Sequence, residues 1–154
     1  MNLKAMLLQR FSPVSKEDYV KSIKRLIQEF ALIGLWRAKF FESCAFYGGT
    51  AHRICYDLPR FSKDLDFTLL KRNGNFDLTS YFNAIMEELQ SAGLQAEIIK
   101  ISKSSVASVE SALIKANTKI HFLRIGMPSE LLKFPSNEFI KVKFEVDTNP
   151  PHSL

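Results

Sequence analysis

In the stretch FYGGTAHRICYDLPRFSKDLDF (46–67), two aspartates, Asp64 and Asp66, stand one residue apart inside an otherwise apolar run, fifteen residues beyond a Gly-Gly pair. An ionised carboxylate among apolar neighbours is expensive unless something offsets its charge. In a strand, successive side chains face opposite ways, so Asp64 and Asp66 share one face about 6.6–6.8 Å apart while Leu65 and Phe67 point into the core. Two anions held this close repel, and the simplest relief is a bound cation. Mg²⁺ prefers such oxygen ligands and completes its shell with water and phosphate. Two such ions about 3.5–4 Å apart would polarise both the attacking and the leaving oxygen of a phosphoryl transfer.

A third carboxylate is available in EFIKVKFEVDTNPP (138–151), where Ile140, Val142, Phe144 and Val146 alternate with Lys141, Lys143, Glu145 and Asp147. The alternation predicts a strand with one apolar and one charged face. Beside the Asp64 strand it would complete a metal triad through Glu145 or Asp147, with Lys141 and Lys143 placed to neutralise phosphate or the acids themselves. Gly48 and Gly49 lack Cβ atoms, so the backbone there can turn sharply and let a ligand approach closely. A helix beginning at Thr50 would present free amides to phosphate. The sequence is neither a Gly-Lys-Ser/Thr loop nor a GxGxxG fingerprint, so a different nucleotide cradle is required. Arg53, Arg60 and Lys63 lie near the acids in sequence and are candidates for phosphate contact; Arg60 serves equally well as a brace for the loop before Asp64.

The elements that position these groups follow from periodicity. Val20, Ile23, Leu26, Ile27 and Phe30 recur at helical spacing behind Ser15 and Asp18, which resemble a helix start, and Gly34 is expected to end or interrupt that helix. CAFYGG reads as a short buried strand, TAHRICYDL as about two helical turns before Pro59, DLDFTLL as a strand and RNGNFD as a turn. DLTSYFNAIMEELQSAG predicts a helix capped by Thr79 or Ser80 and stopped by Gly93, and LQAEIIKIS a strand. Residues 106–125 suit either two strands or a helix. The order is that of an α+β, α/β-like fold with a mixed sheet flanked by helices, in one domain spanning 1–154.

Composition narrows the class. Hydrophobic residues at 46% and charged ones at 24% exclude disordered and fibrous chains. The formal charge of +5 suits a polyanionic partner such as RNA or a nucleotide, and equally suits solubility alone. Cys44 and Cys55 have no CxxC spacing and read as small core residues of a reducing compartment. The N-terminal apolar run is too short for a signal peptide, and no stretch approaches the roughly 20 apolar residues of a membrane span, so no membrane partner and a cytoplasmic location are expected. Trp36 and the phenylalanines are assigned to the core, and His121 and His152 receive no role.

GGTAHR…LPRFSKDLDF followed by KVKFEVD resembles the AbiEii-type nucleotidyltransferase toxins of the polymerase-β-like superfamily, over positions 16–151. The resemblance implies a metal-dependent nucleotidyltransferase that moves a nucleotidyl group from an NTP to an acceptor hydroxyl, with two Mg²⁺ ions, and that forms the toxin half of a toxin–antitoxin pair. An RNA such as tRNA is the implied acceptor, and a protein antitoxin the implied partner. It assigns phosphate binding to Gly48, Gly49, Thr50 and Ser62, and the metals to Asp64, Asp66 and Glu145, with Asp147 in reserve for Glu145. Arg53, Lys63 and Lys143 join the nucleotide-binding set. His52 stands where the family commonly has leucine. Relatives usually continue into a helical C-terminal half, which this sequence is expected to lack. A non-catalytic remnant that binds nucleotide, RNA or protein and a kinase-like variant are the rival readings.

Overall fold

The computed structural model describes residues 2–47, 64–101 and 109–149. Its helices are α1 (Leu3–Arg10), α2 (Lys16–Arg37), α3 (Phe82–Ser91) and α4 (Thr118–Arg124). Its strands are β1 (Cys44–Tyr47), β2 (Asp64–Leu69), β3 (Glu97–Ile101), β4 (Val109–Asn117) and β5 (Phe139–Asp147).

Helix α2 begins where Ser15 and Asp18 predict. Ser15 Oγ accepts the Asp18 amide at 3.1 Å, and the Asp18 carboxylate accepts the amides of Val14 and Ser15 in return. The helix does not stop at Gly34 but runs on to Arg37. A Cβ at Gly34 would lie 2.7 Å from the Ala84 carbonyl oxygen, so the missing side chain serves the close crossing of α2 and α3. A second correction concerns the start of α3. Asp77, not Thr79 or Ser80, accepts the Thr79 amide, and a 3₁₀ turn at Leu78–Tyr81 precedes the helix. Gly93, at φ +80°, ends it as expected, with the Leu94 amide bonded back to Leu89 at 2.9 Å. The ambiguous 106–125 stretch holds strand β4 followed directly by α4. The switch falls at Asn117, whose Oδ1 accepts the Ile120 amide at 2.9 Å.

The five strands form one mixed sheet in the order β1-β2-β5-β4-β3. Strands β2 and β5 are parallel, and the other three pairings are antiparallel. One face is the core. Leu65, Phe67, Val142, Phe144, Val146, Ala112 and Ile114 are buried there with Ile23, Leu26 and Ile27 of α2 and Ile85 and Leu89 of α3. Phe82 meets Phe144 edge-on at 6.2 Å, and Phe40 does the same to Phe67 at 4.9 Å. Cys44 is buried, and burial pushes its thiol up to about 12, which leaves it an inert core residue. Trp36 departs from expectation: it lies 71% exposed on α2. No helix among the described residues is long and apolar enough to cross a membrane.

Candidate functional site

Side-chain alternation sends Asp64, Asp66 and Thr68 of β2, and Lys143, Glu145 and Asp147 of β5, to the face opposite the helices. The parallel register sets Asp64 beside Lys143, Asp66 beside Glu145, and Thr68 beside Asp147. Burial fixes this register. Leu65, Phe67, Phe144 and Val146 are almost wholly buried, and at about 1.5–3 kcal/mol each they contribute roughly 6–12 kcal/mol that a one-residue slip would forfeit. Repulsion between two carboxylates about 5 Å apart near a surface is on the order of 3 kcal/mol. Core packing therefore outweighs repulsion and holds the acids together.

The electrostatics register this crowding. Desolvation, then the charges of Asp64 and Glu145, raise the Asp66 carboxyl above its ordinary value, and Lys143 offsets only part of the effect. Lys143 donates to Glu145 Oε1 at 2.7 Å. That hydrogen bond, with the charge of Glu145 and smaller contributions from Asp64 and Asp66, holds the Lys143 ammonium above its usual range. The donor set, all carboxylate oxygen, suits a hard divalent ion by its chemistry. Among the described residues no group of three His, Cys, Asp or Glu is arranged to hold a metal ion. Glu145 is engaged by Lys143 and would have to exchange that partner for a metal.

Of the remaining predicted residues, Gly48, Gly49, Thr50, Arg53, Ser62 and Lys63 lie outside the described residues, as do His52, Cys55, Arg60, His152 and the predicted helical turns after Thr50. The chain reaches Gly48 directly after Tyr47, whose register partner on β2 is Asp66. Two hydroxyl residues on the acid face were not anticipated. Ser111 of β4 lies in register with Glu145, and Thr68 with Asp147, and both are buried. Ser111 falls in the stretch whose periodicity left strand and helix equally open. His121 also has partners that the sequence did not reveal. Its Nδ1 lies 2.6 Å from the Asn117 carbonyl oxygen, and its Nε2 accepts the Gln95 amide at 3.0 Å. A cavity of about 780 Å³ opens beyond the end of β2, lined in part by Lys71, Arg72, Phe76 and Tyr81, and does not include Asp64, Asp66 or Glu145.

An α+β domain with an acid face on paired parallel strands is the setting in which family membership has meaning. A family model for the nucleotidyl transferase AbiEii toxin of type IV toxin–antitoxin systems matches residues 31–153, and the chain belongs to that family. A crystal structure from H. pylori, provisionally described as a nucleotidyltransferase, is similar at 19% identity with a TM-score of 0.49. The match covers 86% of this chain and 48% of that one, so the chain spans about half the length of this neighbour. No curated protein matches the chain.

Proposed function

We propose that this chain transfers a nucleotidyl group from an NTP to an acceptor hydroxyl, as the toxin component of a toxin–antitoxin pair. The observation that carries the reading is the register of Asp66 with Glu145, which brings acids from distant parts of the chain onto the face that also holds Asp64. Family membership supports it. Asp64 and Asp66 would hold Mg²⁺, joined by Glu145 once Lys143 releases it, with Asp147 one pleat further along. Magnesium bound there would neutralise the triphosphate and polarise the reacting oxygens.

The acceptor oxygen forms a bond to the α-phosphorus, the bond from that phosphorus to the bridging oxygen breaks, pyrophosphate leaves, and the hydroxyl proton passes to solvent. Lys143, once free of Glu145, would meet a phosphate oxygen. The Gly48–Thr50 segment, Arg53, Ser62 and Lys63 complete the nucleotide grip. An RNA such as tRNA is the proposed acceptor, a protein antitoxin the proposed partner, and the cytoplasm the proposed location. Labelled pyrophosphate should appear from NTP, RNA and Mg²⁺ with the unsubstituted chain and disappear with Asp66→Asn. Absence of NTP binding by calorimetry in the unsubstituted chain would overturn the reading.

The Lys143–Glu145 ion pair favours a second reading, a non-catalytic domain that binds nucleotide or RNA with Glu145 held by Lys143. On that reading Asp64→Asn and Asp66→Asn leave ligand binding and cellular phenotype unchanged. The mass of the transferred group separates both from a kinase-like phosphoryl transfer.

A further inference from the structure

Away from the acids, the same sheet face changes sign. Lys115 of β4 and Lys141 of β5 are directly opposite in the antiparallel register, on the face that carries Lys143 and Glu145. Directly opposed side chains have Cβ atoms about 4.5–5.5 Å apart, and like charges in that position destabilise a sheet. Among the described residues neither lysine forms an ion pair. Glu97 of β3 lies in register with Lys115, yet the Lys115 ammonium turns instead to the ring of Phe139, 4.4 Å from its centroid. Lys115 and Phe139, with Asn117, Ile120 and Glu97, line a cavity of about 360 Å³ at the far end of the face. From Glu145 the row runs Lys143, Lys141, Phe139 along one face of β5, about 20 Å in all.

We propose that Lys141 and Lys115 form a track for the phosphates of a single-stranded RNA, and that the cavity beside Phe139 seats one of its bases. The inference rests on the nucleotidyltransferase reading, for which it supplies the path of the acceptor strand. A cationic row that ends at an aromatic ring is the arrangement by which proteins hold single strands: the cations follow the backbone and a base stacks on the ring. A polyanion also explains why two opposed lysines go without acidic partners, because its phosphates supply the missing countercharge. An acidic protein segment would meet the lysines but has no base to place against Phe139.

The test uses the full chain and a fluorescein-labelled single-stranded RNA of about ten nucleotides, with anisotropy measured across a salt series. Lys115→Gln combined with Lys141→Gln should weaken binding roughly tenfold and lower the slope of log K against log salt by about 1.4, the counterions of two phosphate contacts. Phe139→Leu should weaken binding by a similar factor while leaving the slope unchanged. The double variant removes a repulsion, so its melting temperature should match or exceed that of the unsubstituted chain. Unchanged RNA affinity and slope in the double variant would overturn the proposal. Equal loss of polyglutamate binding, with the same slope change, would make the row a general anion surface and overturn it too. NTP binding measured on the same proteins keeps the two readings apart: its absence in the unsubstituted chain strikes the transferase, whereas the RNA slope alone decides the track.

Discussion

Lys143 and Glu145 leave the same face of β5 two residues apart, and the Lys143 ammonium reaches Glu145 Oε1 at 2.7 Å. Both side chains remain partly exposed, at 42% and 35%, so the pair contributes little to stability as an isolated contact. Its significance is that, on the proposed function, the Lys143 ammonium and a divalent ion would compete for Glu145.

Competition between Lys143 and magnesium is therefore testable. With Lys143→Met Glu145 loses its ion-pair partner and Asp66 a nearby positive charge, so the variant should melt below the unsubstituted protein in EDTA. Added Mg²⁺ should then raise its melting temperature by more than it raises that of the unsubstituted protein, with a difference of about 2–4 °C for each kcal/mol of added stabilisation. Equal magnesium responses in thermal melts would show that the ammonium and the ion do not share a site.

Asp66 yields a prediction about stability and pH. Its folded-state carboxyl is raised, so the native protein binds this proton more tightly than the unfolded chain does. The resulting stabilisation is complete at pH values below the unfolded carboxylate range and is lost as pH rises through the folded value. At neutral pH ionised Asp66 is a liability, and Asp66→Asn should raise the melting temperature by up to about 2 °C once solvent screening of this half-buried group is discounted. Calorimetric scans at pH 4 and pH 7 check the sign: the gain should be larger at about pH 7 than at about pH 4.

His121 predicts the opposite slope. Burial holds the imidazole below its ordinary value of 6.5, the nearby Arg124 charge acts in the same direction, and the hydrogen bond to the Asn117 carbonyl opposes them only in part. The neutral ring donates from Nδ1 to Asn117 and accepts the Gln95 amide at Nε2, tying α4 to the loop before β3. Stability from this group is complete above pH 6.5 and is lost as pH falls toward the depressed folded value. Melting temperatures should therefore decline between about pH 7 and pH 5. His121→Gln should melt lower at pH 7, by the roughly 1–3 kcal/mol of a broken buried hydrogen bond, and show a flatter decline.

The sequence made the acid face legible because alternation in DLDFTLL and FIKVKFEVD is a local signal with period two. Which of Glu145 and Asp147 adjoins Asp66 was not legible, because register across β2 and β5 is set by the joint burial of Leu65, Phe67, Phe144 and Val146, about eighty residues apart in the chain. Gly34 suggests an end or an interruption of α2 because its local signal is the same whether a glycine stops a helix or admits a neighbour; the difference lies in Ala84, which local reading does not see. Helix α1 carries only a weak local signal in the sequence, although Asn2 accepts the Ala5 amide at 2.8 Å and supplies an ordinary N-terminal cap. The opposed Lys115–Lys141 pair was invisible for the same reason as the acid register: one partner sat in a stretch with no decided secondary structure.

Strand β5 is the last of the five to emerge in synthesis, yet it occupies the middle of the sheet, between β2 and β4. A nascent polypeptide still lacking residues 139–147 has its aspartates but not the glutamate facing them, and β2 and β4 have no common neighbour. Closure of the sheet is therefore a late, long-range event of the slow kind, waiting on contacts between segments far apart in the chain. Assembly of the acid face and completion of the hydrophobic interior are consequently one and the same step on the ribosome's timetable.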